Sequence, residues 1–209
     1  MPVVIEVDHP LVAHRLGLLR DAATPNSLFR TALSELSHLL VYEATRQLPV
    51  QTFTVRTPVA EASAKRVTST PRIVPVLRAG LGMLPGALQL LSEAQVGFVG
   101  LKRDETTLLP DSYLTALPED LAGGEILVLD PMLATGGSLV ATLELLTQAG
   151  AGPITVVCVL VVPEGLARLD EAGFSHVRLV TASIDSHLNE VGYIVPGLGD
   201  AGDRQFGAY

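Results

Sequence analysis

At 209 residues the chain can bury a substantial core in one domain, or in one domain with a small appendage. Its formal net charge of −8 argues against a general binder of nucleic acid or of anionic membranes, so any polyanionic ligand has to be held by a local cluster of donors. Apolar residues make up 48% and charged residues 17%, apolar enough to suggest that another subunit covers part of the surface. Cys158 is the single cysteine, which excludes an intrachain disulfide, and its place in an apolar run makes it a core thiol before it is a nucleophile. No apolar run reaches membrane-spanning length and the opening MPVVIEVDHP lacks a signal-peptide pattern, so the expectation is a soluble, cytoplasmic protein.

In chain order, residues 3–7 read as a short strand or an extended arm. His9-Pro10 opens a segment with Leu11, Val12, Leu16 and Leu19 at helical spacing; Asn26 or Ser27 is placed to cap a longer helix that should end before Pro49. His9, His14 and His38 are too scattered to suggest metal ligands. Residues 51–55 alternate as a strand with one wet face, and residues 60–69, polar and basic, read as a loop. Residues 73–77 form a buried strand that runs into Arg78-Ala79-Gly80-Leu81-Gly82, with an apolar helix behind it to about Leu91. Arg78 can pair with a surface carboxylate, or its planar array of donors can meet a pyrophosphate. Residues 96–101 are the next strand, and the chain then stays polar and proline-punctuated from Lys102-Arg103 to Gly124. That is long for a plain connection; it suits a lid or binding loop, with an edge hairpin as the alternative.

The rest of the chain is arranged around residues 125–150. Residues 126–129 are a short apolar strand, Asp130 is the first charge after it, and from Ser138 the residues Leu139, Val140, Leu143 and Leu146 keep helical spacing until Gly150 stops the helix. Between strand and helix lies Thr135-Gly136-Gly137-Ser138, where two residues without Cβ let backbone N–H groups approach an anion and two hydroxyls add donors. The alternative is an ordinary connection with Ser138 as the helix cap. A P-loop is excluded because Gly137 stands where its lysine belongs. Strands at residues 154–162 and 177–182 flank a helix over residues 163–172, and this alternation predicts a parallel α/β sheet. In such sheets ligands bind beyond the carboxyl ends of the strands, where Arg78, Arg103 and Asp130 all fall. Near the end, residues 197–202 spell GxGxxG, but only seven residues follow; no helix, second strand or ribose-binding acid fits there, so dinucleotide binding is rejected.

The phrase DPMLATGGS, Asp130 to Ser138, resembles the phosphoribosyl-pyrophosphate (PRPP) motif of type I phosphoribosyltransferases, and specifically that of the uracil phosphoribosyltransferase family. Pro131 stands where most of the wider family has a second acid, a departure that the uracil enzymes share. Four further stretches, HPLVxHxLxxLR at residues 9–20, YEATR at 42–46, PVLRAGLGM at 75–83 and NEVGYIVPGLGDAGDRQFG at 189–207, are similar to the same family, so the likeness spans nearly the whole chain. It implies a single phosphoribosyltransferase domain over residues 1–209: an N-terminal arm and helices (1–50), a mostly parallel sheet flanked by helices, a flexible hood over the active site (102–123) and a base-binding segment (185–209). By resemblance PRPP contacts Arg78, Arg103, Asp130, Pro131, Met132, Leu133, Ala134, Thr135, Gly136, Gly137, Ser138 and Asp200. Uracil meets Ile194, Gly199, Asp200 and Ala201, largely through main-chain groups that read its acceptor, donor, acceptor edge. Asp200, Arg103 and Asp130 are the catalytic candidates, with Asp200 either assisting deprotonation of uracil or stabilising a ribosyl cation. The implied activity makes uridine monophosphate (UMP) and pyrophosphate from uracil and PRPP, with Mg²⁺ held mainly by PRPP and water, no nucleic-acid or membrane partner, a homodimer or larger homo-oligomer, and GTP as a candidate activator. Two rivals stand beside it: a transferase for another base, and a ligand-sensing or RNA-binding regulator on the same fold.

Overall fold

The computed structural model describes residues 1–103, 110–122 and 124–207, apart from the side chains of 102, 103, 110 and 111. The chain begins with β1 (Val3–Glu6), α1 (Pro10–Arg20), α2 (Asn26–Ala44) and a hairpin of β2 (Val50–Arg56) and β3 (Glu61–Val67). β4 (Arg72–Leu77), a 3-10 turn (Ala79–Gly82) and α3 (Leu84–Leu90) lead to β5 (Phe98–Arg103) and β6 (Pro110–Ala116). β7 (Ile126–Leu129), the two-residue β8 (Met132–Leu133), α4 (Gly137–Gln148), β9 (Ile154–Val161), α5 (Pro163–Glu171) and β10 (Arg178–Ile184) follow. A small pair, β11 (His187–Leu188) and β12 (Ile194–Val195), and α6 (Ala201–Phe206) complete the described elements.

The main sheet has the order β1-β10-β9-β7-β4-β5-β6, with β8 alongside the end of β9. Its pairs are parallel except for β5 with β6, as expected of strands joined through helices on both faces. The central strands carry the branched apolar residues such a position requires: all four residues of β7 and seven of the eight in β9 are buried. α2 lies on one face because Phe29, Leu33, Leu36 and Leu40 recur on one side of it and are all fully buried. Each such side chain contributes about 1.5–3 kcal/mol on leaving water. Leu139, Val140, Leu143 and Leu146 of α4 cover the other face together with Leu166 and Leu169 of α5. Among the described residues no helix is long and apolar enough to cross a membrane.

Three expectations change. Residues 60–69 are not a loop: β3 pairs in register with β2 from Val50↔Val67 to Arg56↔Glu61. Every residue of the ribbon is exposed or half-exposed, and β3 carries only small or polar residues before Val67, so it lacks the apolar alternation that marked residues 51–55. Neither Asn26 nor Ser27 caps α2; the preceding Pro25 takes that position without a side-chain hydrogen bond. A helix does fit after the GxGxxG phrase, because α6 starts inside it at Ala201 and needs only six residues. The phrase still lacks a following strand, so it is no dinucleotide fingerprint. Residues 3–7 resolve as an edge strand pairing with β10, and residues 110–116 give the hairpin arm against β5.

The C-terminal segment is held down by one buried carboxylate. Asp185, just past β10, takes Arg20 of α1 in a two-pronged pair at 2.6 and 2.8 Å and accepts Gly197 N–H at 2.9 Å. Arg20 in turn donates to Gly197 O at 2.9 Å. Burial pushes the Asp185 carboxyl up, but the hydrogen bonds from Arg20 and Gly197 and the guanidinium charge outweigh it, so its pKa lies below the ordinary value. A lowered pKa contributes stability that is present above the unfolded value of about 3.9 and lost as pH falls through the lower folded value. Asp185→Ala should therefore cost about 3 kcal/mol in urea unfolding at pH 7 by leaving Arg20 unpaired, and the difference from the parent should shrink below about pH 4. Equal unfolding midpoints at pH 7 would show that the pair does not hold the segment.

Candidate active site

β4 connects through α3 to one side of the sheet and β7 through α4 to the other, so the crevice beyond their carboxyl ends is where connections part. Arg78 follows β4 directly and Asp130 follows β7. Gly80 brings the two loops together, since a Cβ there would stand 2.4 Å from Leu129 O, the carbonyl just before Asp130. The peptide between Leu77 and Arg78 is cis, and the Arg78 side chain is exposed. A cavity of about 300 Å³ opens beside them, lined by Ala79, Asp130, Met132 and Ala134 on one side and by Tyr193, Ile194, Gly199, Asp200, Ala201 and Gly202 on the other.

Asp130 is half-buried in this wall, and burial pushes its pKa up to about 7, with only a weak opposing hydrogen bond from Met132 N–H at 3.5 Å. The residues after it are fastened to β9: Pro131 O accepts Val159 N–H and Leu160 N–H at 2.9 and 3.0 Å, while Met132 and Leu133 form β8. A loop fixed at that point can present its next residues, Ala134 to Ser138, in one geometry. Gly136 has φ +79°, a conformation that L side chains rarely adopt, and it caps α4 in place of Ser138. Its missing Cβ would also lie 3.0–3.1 Å from the Arg168 side chain. α4 therefore begins with Gly137 and Ser138, whose first-turn N–H groups have no partner within the helix, and with the exposed hydroxyls of Thr135 and Ser138 nearby. Gly165 at the start of α5 supports the loop from behind, where a Cβ would meet Ala134 O at 2.6 Å.

The opposite wall is main chain and one carboxylate. β11 and β12 carry Ile194 into the cavity, Glu164 Oε1 accepts Leu188 N–H at 3.0 Å, and the Val195–Pro196 peptide is cis. Gly197 and Gly199 both have positive φ; at Gly197 a Cβ would meet Ile194 O at 2.2 Å. Asp200 is exposed and caps α6, its Oδ1 accepting Asp203 N–H at 2.8 Å. Ile194, Gly199, Asp200 and Ala201 are thus brought together with Asp130, Met132 and Ala134 around one space. Arg103 ends β5, but its side chain lies outside the described residues, as do 104–109 and 123 of the hood segment. Tyr193 lines the cavity without having been singled out, and only its place in the phrase at 189–207 marked it. Cys158 is buried in β9, where burial first and the nearby Asp130 second hold its thiol well above the ordinary pKa, which suits a core thiol and not a nucleophile. Among the described residues no group of three or more His, Cys, Asp or Glu is placed to hold a metal ion.

The mostly parallel sheet with its flanking helices is the fold of the type I phosphoribosyltransferases. Adenine phosphoribosyltransferase from Leishmania donovani shares that fold at a TM-score of 0.58 and 12% identity, covering 87% of this chain and 83% of that one. The family model for uracil phosphoribosyltransferase matches residues 6–208, and the chain belongs to that family. A curated uracil phosphoribosyltransferase from Corynebacterium diphtheriae is 53% identical over 201 residues, 96% of this chain and 95% of its own length. The solved AQ2163 protein from Aquifex aeolicus superposes at a TM-score of 0.91 with 39% identity, covering 99% of both chains.

Because the Asp130 carboxyl has a folded pKa near 7 against about 3.9 unfolded, the folded chain binds a proton between those values that the unfolded chain lacks. Stability should fall as pH rises through that window. Asp130→Asn removes the charge, so it should melt above the parent at pH 8 and converge with it near pH 4. Coincident melting curves at pH 8 would show that the ionised carboxylate costs nothing here.

Proposed function

We propose that the chain transfers the phosphoribosyl group of PRPP to uracil, giving UMP and pyrophosphate for pyrimidine salvage in the cytoplasm. The observation that carries this is the single cavity in which Asp130 and the Ala134 side of the glycine loop face Ile194, Gly199, Asp200 and Ala201. In this reading the first-turn N–H groups of α4, with Thr135 and Ser138, hold the 5-phosphate; Pro131, Met132 and Leu133 fix the loop. Asp130 accepts the ribose hydroxyls, whose hydrogen bonds favour its ionised form. The main chain of residues 194–201 reads the uracil edge, since cytosine would set donor against donor at a site with preset N–H and C=O groups. Asp200 faces the reacting centre from the cap of α6, held in place by Asp203 N–H. Displacement at the anomeric carbon puts positive character on the ribosyl group and negative charge on departing pyrophosphate, which Arg78 and Arg103 neutralise.

Asp130 and Asp200 offer hard oxygen donors to the same cavity, a donor set that suits Mg²⁺ shared with substrate oxygens and water. Bound with PRPP, the ion supplies charge neutralisation at the pyrophosphate. We place the whole of residues 1–209 in one transferase domain with the segment 102–123 as its hood. A homo-oligomer rests on the 48% apolar composition and the resemblance, and GTP activation on the resemblance alone.

Pyrophosphate release from PRPP and Mg²⁺ is expected with uracil and not with cytosine, hypoxanthine, adenine or no base; release with another base in place of uracil would reassign the base pocket. Arg103→Ala should lower turnover by about 10²–10³, the usual loss for one preorganised donor to developing charge. Unchanged turnover in that variant would remove Arg103 from the mechanism.

A further inference from the structure

Gln205 is fully buried in α6 and reaches into the loop that follows β4. Its Nε2 donates to Ala79 O at 2.9 Å and to Ala201 O at 2.7 Å, and two carbonyl acceptors fix which end of the amide is nitrogen. Ala79 and Ala201 both line the cavity, Ala79 one residue beyond Arg78 and Ala201 one beyond Asp200. One amide group therefore ties the wall assigned to pyrophosphate to the wall assigned to base and ribose. At its other end Oε1 is buried without a hydrogen-bond partner among the described residues, and a Cβ on Gly82 would stand 1.9 Å from it. An apolar side chain would fill the same space without that cost, so packing alone does not account for the amide.

We propose that Gln205 is a positioning residue for PRPP, its amide N–H groups holding the loop around Arg78 at its working distance from the base pocket. This rests on the assignment of that loop to PRPP. The two walls depend on the amide unequally. α6 stays anchored without it: Arg204 donates to Leu19 O, Leu198 O and Asp21 O and lies 4.5 Å from the centre of the Phe29 ring, and Arg30 donates to Gln205 O at 2.6 Å. On the other side the amide meets a short 3-10 turn, with Ser37 Oγ holding Met83 O at 2.8 Å at its far end. Loss of the side-chain donor should shift the pyrophosphate wall and leave the uracil wall in place.

Gln205→Met keeps the length without an N–H, and Gln205→Glu keeps the shape and regains one donor when protonated. In the pyrophosphate-release assay at pH 8 both variants are expected to raise KM for PRPP about 3- to 10-fold, the range of one neutral hydrogen bond, with KM for uracil within about 2-fold of the parent. Lowering the pH should narrow the gap for Gln205→Glu only. A role confined to the fold would lower the melting temperature and the active fraction while leaving both KM values unchanged. That pattern overturns the proposal, as do equal rises for both substrates or the failure of both variants to fold. The parent protein in the same assay keeps the two readings apart: uracil-dependent release with unchanged variants overturns the Gln205 proposal alone. No release by the parent overturns the transferase reading, and calorimetric titration of the variants with PRPP then tests Gln205 directly.

Discussion

The cavity exists because a segment with no strand in the main sheet is pinned over the carboxyl ends of that sheet. Asp185 and Arg20 do the pinning: a buried carboxylate, a guanidinium from a helix that precedes it by 165 residues, and both backbone groups of Gly197 close into one set of hydrogen bonds. Each member satisfies another, which is the condition under which a buried ion pair is tolerated in an interior. β11 and β12 adjoin this point, while α6 has further anchors in Arg204 and Arg30. Ile194, Leu198 and Ala201 join the same core as α1 and α2 only because the segment is held against them.

The two walls of the cavity are built on different principles. The wall carrying Asp130 is an extension of the sheet: β8 adds to β9, Gly165 lets α5 press on the loop, and Gly136 turns the chain into α4. Its rigidity comes from backbone pairing, which holds the first-turn N–H groups of α4 in one geometry. The facing wall relies on side chains that reach carbonyl groups, Arg20 on Gly197, Arg204 on Leu19, Leu198 and Asp21, and Gln205 on Ala79. Between them sits an acid whose pKa near 7 reflects an incomplete environment. Burial favours its neutral form, opposed only weakly by the hydrogen bond from Met132 N–H.

Much of the sheet was legible because buried parallel strands read as unbroken apolar runs: residues 73–77, 126–129 and 154–162 could be placed within one or two residues of β4, β7 and β9. The β2–β3 ribbon was half missed because β3 turns only the small Ala62 and Ala64 to its half-buried face, which makes a weak alternation. The short α6 was missed because the length needed for a dinucleotide-binding unit was applied to a helix of only six residues. Arg78, Asp130 and the Thr135–Ser138 turn could be singled out because glycines and charges at strand ends are rare and local. Tyr193 and Gln205 carry no such signal: an exposed tyrosine at a cavity rim and a glutamine that only the fold buries both read as ordinary surface residues.

Sequence alone thus determined the buried parallel strands β4, β7 and β9 with the helices between them, the acid that follows β7 and the family resemblance, all of which are written in stretches of about ten residues. The tertiary structure alone decided that Arg20 meets Asp185, that Gly80 brings the Arg78 loop beside the end of β7, and that Gln205 spans the cavity wall to Ala79. These contacts join residues more than a hundred positions apart, or depend on the missing volume of a single Cβ. Neither leaves a periodicity in the chain, because a hydrogen bond between distant groups constrains two residues and asks nothing of the residues between them.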